Sequence, residues 1–164
     1  MSSTVEKRQH AVNSRPGRTP AGDAFNEVLG LVLRLHGSFT AAGEALARPA
    51  GQSLARWVVL AQCREDPASV SDIARRVRQA RQSVQRIADL LVADELAVYQ
   101  DNPQHQRAKL VALTPAGQAA LASIDTAQRL WCDALGQATG EPTLRQTAAG
   151  LRRLAEVVDA GQPG

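Results

Sequence analysis

The side chains best suited to molecular recognition lie between residues 81 and 94. Polar ones share one face of a predicted helix: Arg81, Gln82, Gln85, Arg86 and Asp89. Apolar ones recur on the opposite face at helical spacing: Val84, Ile87, Ala88 and Leu91. Arg pairs with guanine edges and Gln with adenine edges through two hydrogen bonds each. The pattern predicts a helix that packs with one face and reads base edges with the other.

The charge distribution favours a polyanionic partner. The net charge is +3, from 19 Lys and Arg against 16 Asp and Glu. Five arginines and no acid lie between residues 74 and 88: Arg75, Arg76, Arg78, Arg81 and Arg86. The planar guanidinium donates two parallel hydrogen bonds to a phosphate or a guanine edge, and the short Ser83 can reach a phosphate. A solvated helix face is the open alternative.

The composition sets the class of protein. A chain of 164 residues with 44% hydrophobic residues is one domain with extensions, and its Ala-rich, aromatic-poor content favours helix. The sequence contains no run of 18 apolar residues, so it predicts no membrane span. The polar residues 1–20 lack the apolar core of a secretory signal. Cys63 and Cys132 lie far apart without metal spacing, which argues against a disulfide framework or zinc site and suits a reducing cytoplasm.

The chain is predicted to consist of five segments, which together position the polar face of the helix over residues 81–94. Residues 1–22 form a flexible basic arm, and residues 23–52 contain a long helix. Since residues 28–35 are apolar nearly all round, this helix is predicted to be partly an oligomer interface. Residues 53–115 form the central lobe, residues 116–160 form C-terminal dimerisation helices, and residues 161–164 form a tail.

The central lobe has the order of a winged helix-turn-helix. Helices are predicted over residues 54–65, 70–78 and 81–94, with Ser53 and Ser69 as caps. Short strands over 96–99 and 109–113 flank the turn-rich tip 101–106 and form a two-stranded hairpin. Thr114 and Pro115 then begin another helix. The predicted fold class is mainly α with a small β-hairpin wing, flanked by helical dimerisation elements.

Residues 46–117 resemble the MarR family (multiple antibiotic resistance regulators). Four stretches carry the resemblance: 53–60 (SLARWVVL), 69–77 (SVSDIARRV), 82–91 (QSVQRIADLL) and 102–117 (NPQHQRAKLVALTPAG). In the family, an Arg of the wing enters the minor groove, and Arg107 matches it. The DNA-binding residues predicted for this chain are Ser69, Arg78, Arg81, Gln82, Ser83, Gln85, Arg86, Arg107 and Lys109.

The resemblance also implies partners. It implies a homodimer that binds double-stranded DNA at a pseudo-palindrome and represses until a small aromatic, phenolic or carboxylate effector releases it. The effector residues predicted here are Arg34, His36, Phe39, Trp57 and Gln62. Arg34 or His36 would bind a carboxylate, and Phe39 or Trp57 would stack on a ring. An ordinary core role for the aromatic residues is the alternative.

Three residues depart from the family pattern. Glu95 stands where Gly is usual, so it should either cost about 1 kcal/mol at a positive φ or change the turn. Tyr99 stands where an Arg is common, and His105 stands where an Asp holds the wing Arg. These departures keep open a protein-interaction module with weakened DNA binding. A regulator that senses oxidants through Cys63 or Cys132 is a further alternative.

No catalytic motif is found. The sequence lacks GxSxG, a P-loop, HExxH and CxxC, and His10, His36 and His105 are scattered. We therefore expect no enzymatic activity, no cofactor, no metal site and no membrane partner, and a cytoplasmic location.

Overall fold

The computed structural model describes residues 17–103 and 108–161. The chain divides into two compact units, residues 1–43 and 44–164. Helix α1 (Pro20–Ala47) forms the described part of the first unit and ends in the second. It begins three residues before the predicted start because the Thr19 hydroxyl accepts a hydrogen bond from the Gly22 amide at 3.1 Å. Residues 20–22 are therefore helical.

The second unit contains the remaining elements in order. A short 3-10 helix (Arg48–Ala50) precedes α2 (Leu54–Gln62), β1 (Ala68–Ser69), α3 (Val70–Val77) and α4 (Arg81–Ala93). They are followed by β2 (Ala97–Gln100), β3 (Leu110–Leu113), α5 (Pro115–Thr139) and α6 (Glu141–Ala160). The three short helices, the hairpin strands and the two long C-terminal helices are those predicted, and the mainly helical fold class is confirmed. The five-segment division remains a prediction.

The sheet has one strand more than the predicted hairpin. β1 pairs antiparallel with β3, which also pairs with β2, in the order β1-β3-β2. The register places Ala68 opposite Val111 on one side of β3 and Tyr99 opposite Val111 on the other. Two residues are too few to show an alternating pattern, so the sequence did not reveal β1.

One hydrophobic core holds the short helices against the sheet and α5. Its most deeply buried large side chains come from α2 to α5 and the sheet: Val59, Leu60, Ile73, Val84, Leu91, Val111 and Ile124. The predicted inner face of α4 is confirmed, since Val84, Ile87, Ala88 and Leu91 are all buried. Burial of this face fixes which side of α4 is left outward.

Three predicted helix caps are present. The hydroxyl oxygens of Ser53, Ser69 and Thr114 accept hydrogen bonds from the amide of the residue three positions on. A capping side chain replaces one hydrogen bond that the first turn of a helix lacks. The caps therefore determine where α2, α3 and α5 begin.

Glu95 ends the turn after α4 in a left-handed conformation, with φ of 59°. The Glu95 amide donates to the Val92 carbonyl at 3.0 Å, and the Leu96 amide donates to the Leu91 carbonyl at 2.9 Å. These two bonds form a Schellman motif, in which Gly normally occupies the left-handed position. The backbone strain predicted from the sequence at Glu95 is therefore present.

Replacing Glu95 with Gly should raise the free energy of unfolding by about 1 kcal/mol, because Gly adopts positive φ without a Cβ clash. Chemical denaturation at fixed protomer concentration measures the change. Glu95→Ala is the matched control, since it removes the carboxylate but keeps the Cβ. Equal stabilisation by both variants would assign the effect to the carboxylate instead of to the backbone.

Candidate nucleic-acid interface

Helix α4 presents a polar face to solvent. Arg81, Gln82, Ser83 and Arg86 are exposed, and Gln85 is half-buried. Within the described parts of the chain, no carboxylate pairs with Arg81 or Arg86. Two guanidinium groups on one outward face are therefore available to an anionic or base-edge partner.

Two other arginines of the basic cluster are paired with acids. Arg75 contacts Asp72 at 2.7 Å, and Arg78 forms two hydrogen bonds with Asp159 at 2.9 and 3.2 Å. Hydrogen bonding to Arg78 lowers the pKa of Asp159, and Asp159 raises the pKa of Arg78. The sequence shows no acid between residues 74 and 88, but the fold supplies Asp159 from α6. The free positive charge on this surface is consequently smaller than the sequence indicates.

Arg78 lies at the turn between α3 and α4, with φ of 52°. To contact DNA as predicted, its guanidinium would have to exchange the Asp159 carboxylate for a phosphate. Both groups are largely exposed, so such an exchange carries a small desolvation cost. The assignment of Arg78 to DNA binding stays a prediction.

Four of the predicted DNA-binding residues line one cleft of about 260 Å³ between the start of α3, α4 and the sheet. They are Ser69, Arg81, Gln85 and Lys109. Ser69 is buried, and its hydroxyl donates to Asp72 Oδ2 at 2.7 Å while accepting from the Asp72 amide at 3.2 Å. The same hydroxyl lowers the pKa of Asp72. The Ser69 side chain thus serves the helix cap, while Arg81 and Lys109 supply the positive charge of the cleft.

Tyr99 joins α4 to the sheet through a contact that the sequence did not reveal. Its hydroxyl donates to Asp89 Oδ1 at 2.6 Å and accepts from Gln85 Nε2 at 2.7 Å. Gln85 Nε2 also donates to Asp89 Oδ1 at 2.9 Å. Burial and the hydrogen bond to Asp89 raise the pKa of Tyr99 to about 12, and Tyr99 and Gln85 lower the pKa of Asp89. We call these three residues the Tyr99 cluster.

Further polar contacts hold the C-terminal end of α4, and the segment after α2, to neighbouring elements. The Arg56 guanidinium binds Asp94 at 2.6 Å, and the Thr114 hydroxyl donates to the Glu95 carbonyl at 2.7 Å. Arg64 forms two hydrogen bonds with Asp125 of α5, one of them at 2.8 Å. The C-terminal end of α4 is therefore tied to α2 and to the start of α5, and Arg64 ties the end of α2 to α5.

Two predicted wing residues, Arg107 and His105, lie outside the described residues. Their predicted roles stay predictions.

The predicted effector residues lie in both units. Arg34, His36 and Phe39 are on exposed parts of α1, whereas Trp57 is buried in α2 and Gln62 is half-buried at its end. Burial of Trp57 fits the ordinary core role considered above. The assignment of all five residues to an effector site remains a prediction.

The two cysteines differ in environment. Cys63 is buried, and burial raises the pKa of its thiol, whereas Cys132 is exposed. A raised pKa disfavours the thiolate that reacts with oxidants. Over residues 17–103 and 108–161, no three His, Cys, Asp or Glu side chains are placed to bind a metal. The same residues contain no helix long and apolar enough to cross a membrane.

Helices α2 to α4, the outward polar face of α4 and the three-stranded sheet define a winged helix-turn-helix, a class of DNA-binding fold. A family-wide sequence profile described as MarR family matches residues 51–108. An uncharacterised protein of Mycobacterium tuberculosis H37Rv is 31% identical over 141 residues, which span 86% of this chain and 99% of that protein. The chain belongs to the MarR family of winged-helix transcription regulators, which are generally not enzymes.

Solved structures share the fold. Staphylococcus aureus MarR in complex with salicylate and kanamycin superposes with a TM-score of 0.75 at 13% identity, over 85% of this chain and 95% of that one. The M. tuberculosis regulator MosR in complex with DNA gives a TM-score of 0.57 at 24% identity, over 79% and 96% of the two chains. At these identities the likeness concerns the fold alone.

Proposed function

We propose that this protein is a sequence-specific DNA-binding repressor that acts as a homodimer on a pseudo-palindromic operator. The observation that carries the proposal is the outward face of α4, where Arg81 and Arg86 are exposed and pair with no carboxylate of the described residues. Arg and Gln on an outward helix face suit the donor and acceptor pattern of the major groove. Such a regulator acts in the bacterial cytoplasm, where the DNA is.

The apolar surface of α1 supports the homodimer. Eight large hydrophobic side chains of this helix are exposed in the single chain: Phe25, Val28, Leu29, Leu31, Val32, Leu33, Leu35 and Phe39. Contiguous apolar surface of this kind marks an interaction site. A dimer would place two copies of α4 about one helical turn of DNA apart, which matches a pseudo-palindrome.

An aromatic or carboxylate effector is the second part of the proposal. The S. aureus relative of this fold binds salicylate, an aromatic carboxylate. In this chain Arg34 and His36 supply candidate partners for a carboxylate, and Phe39 and Trp57 supply candidate rings. We propose that an effector of this class releases the operator.

Fluorescence anisotropy with duplex DNA from the upstream region of the gene, and with a scrambled duplex, tests the DNA-binding function. We expect tight binding to the upstream duplex that weakens as salt rises, because bound arginines release counterions from phosphates. With six to ten phosphates contacted, affinity should fall by about a thousandfold or more between 50 and 200 mM salt.

Equal and weak binding to both duplexes, and to every member of a randomised duplex library, would contradict the proposal. That result would favour the protein-interaction module that the sequence left open. Repeating the titration with Cys63→Ser and Cys132→Ser under an oxidant separates a thiol-based regulator from an effector-based one. The raised pKa of buried Cys63 disfavours it as the sensing thiol, so exposed Cys132 is the more informative of the two variants.

A further inference from the structure

The Tyr99 cluster places a phenol between the reading helix and the sheet. Tyr99 lies on β2, while Gln85 and Asp89 lie one turn apart on α4. Gln85 and Asp89 also border the same surface region as Arg81, Gln82 and Arg86. The cluster is therefore part of the outward face that the proposed function assigns to base recognition.

The hydrogen bonds fix the orientation of the Gln85 amide. Asp89 keeps a lowered pKa through its bonds with Tyr99 and Gln85, so it is a carboxylate at neutral pH and can only accept. The Gln85 nitrogen must then face Asp89 Oδ1, at 2.9 Å, and the Tyr99 hydroxyl, at 2.7 Å. The amide oxygen has no hydrogen-bond partner among the residues that the structure describes. An exposed Gln would otherwise sample many rotamers and both amide orientations.

We propose that Tyr99 is a positioning residue for sequence recognition: by holding the amide nitrogen of Gln85 together with Asp89, it orients Gln85 toward one base pair of the operator. This inference rests on the proposed DNA-binding function. A side chain held in its binding orientation before contact loses less entropy on binding. Since both N–H groups of the amide are engaged, the amide oxygen alone is left to accept, and the held orientation favours a base with a major-groove donor, adenine N6 or cytosine N4, over guanine and thymine.

The test compares base preferences of the full-length wild type and Tyr99→Phe. A randomised duplex library selects the operator of the wild type, and anisotropy with all four base pairs at each position then gives the preference. Tyr99→Phe removes one hydroxyl, keeps the ring and changes no charge. We expect it to reduce discrimination at a single position by about fivefold or more, while non-specific affinity and the salt dependence stay unchanged.

Double-mutant cycles separate positioning from a general structural role. If Tyr99 acts through Gln85, Tyr99→Phe has no further effect on base preference in a Gln85→Ala background. Gln82→Ala is the matched control, since Gln82 shares the exposed face but not the cluster. In that background Tyr99→Phe should keep its full effect. Equal effects in both backgrounds would overturn the proposal.

A spectroscopic readout tests the cluster without DNA. Tyr99 is the sole tyrosine of the chain, so the near-ultraviolet absorbance of phenolate reports on it alone. We expect phenolate to appear only near pH 12 in the wild type and at lower pH in Asp89→Asn. If the Tyr99 phenol of the wild type titrates with the usual tyrosine pKa of about 10, the inference is overturned and the proposed function stays intact.

The DNA measurements distinguish the two proposals in the same way. A wild type that selects a specific operator, with an unchanged preference in Tyr99→Phe, also overturns the inference alone. If the wild type selects no sequence from the library, both the proposed DNA-binding function and the positioning role of Tyr99 are contradicted.

Discussion

An Arg86→Ala variant should lose part of its preference for the operator over a scrambled duplex. The expected loss of discrimination is about 1–3 kcal/mol, the contribution of one bidentate contact between Arg and guanine. Arg86 is exposed in the middle of the outward face of α4, and no acid among the described residues pairs with it. The planar guanidinium of Arg86 can therefore bind a base edge, and no ion pair has to be broken first. Anisotropy with both duplexes at one salt concentration measures the change.

Arg86→Lys is the matched control, since it keeps the charge and removes the planar fork. We expect it to bind the scrambled duplex like the wild type and yet to lose a similar part of the operator preference as Arg86→Ala. If Arg86→Ala weakens binding to both duplexes equally, Arg86 contacts phosphate and carries no sequence information. That outcome would transfer base reading to the remaining polar residues of α4.

Replacing Gly117 with Ala should lower the free energy of unfolding by about 3 kcal/mol, at the upper end of overpacking effects. A Cβ at this position would lie 1.9 Å from the carbonyl oxygen of Leu96. That carbonyl accepts a hydrogen bond from the Thr114 amide at 3.1 Å, so it cannot move without breaking a contact. Either the start of α5 or the turn after α4 must shift.

Chemical denaturation at a fixed protomer concentration measures this loss, since dimer formation contributes to stability. Gly136→Ala is the matched control in the same helix, because nothing lies within 4 Å of its added Cβ. It should leave stability unchanged or raise it by up to about 1 kcal/mol through helix propensity. A Gly117→Ala variant as stable as the wild type would show that α5 does not approach Leu96 this closely.

Local patterns predicted those parts of the fold that depend on neighbours in sequence. The buried face of α4 repeats Val84, Ile87, Ala88 and Leu91 at helical spacing, and the caps of α2, α3 and α5 involve residues only three positions apart. The positive φ at Glu95 followed from the Gly of the resembled family. Each of these features leaves a signature within one or two helical turns.

Contacts between distant segments were not predictable in this way. Arg78 meets Asp159 from the last helix, and Tyr99 meets Gln85 and Asp89 across the boundary between sheet and helix. The sequence indicated only that Tyr99 stands where an Arg is common in the resembled family, and it predicted no contact for Tyr99. The cleft that joins Ser69, Arg81 and Lys109 likewise exists only after the sheet has formed.

The short strand β1 has a consequence for how the lobe folds. It pairs Ala68 with Val111, so α3, α4 and β2 all lie within the loop that this pairing closes. Closing a loop of about forty residues costs conformational entropy, which the packing of α3 on α4 and of β2 on β3 partly offsets. A fragment that ends before β3 would lack the partner strand that holds the start of α3.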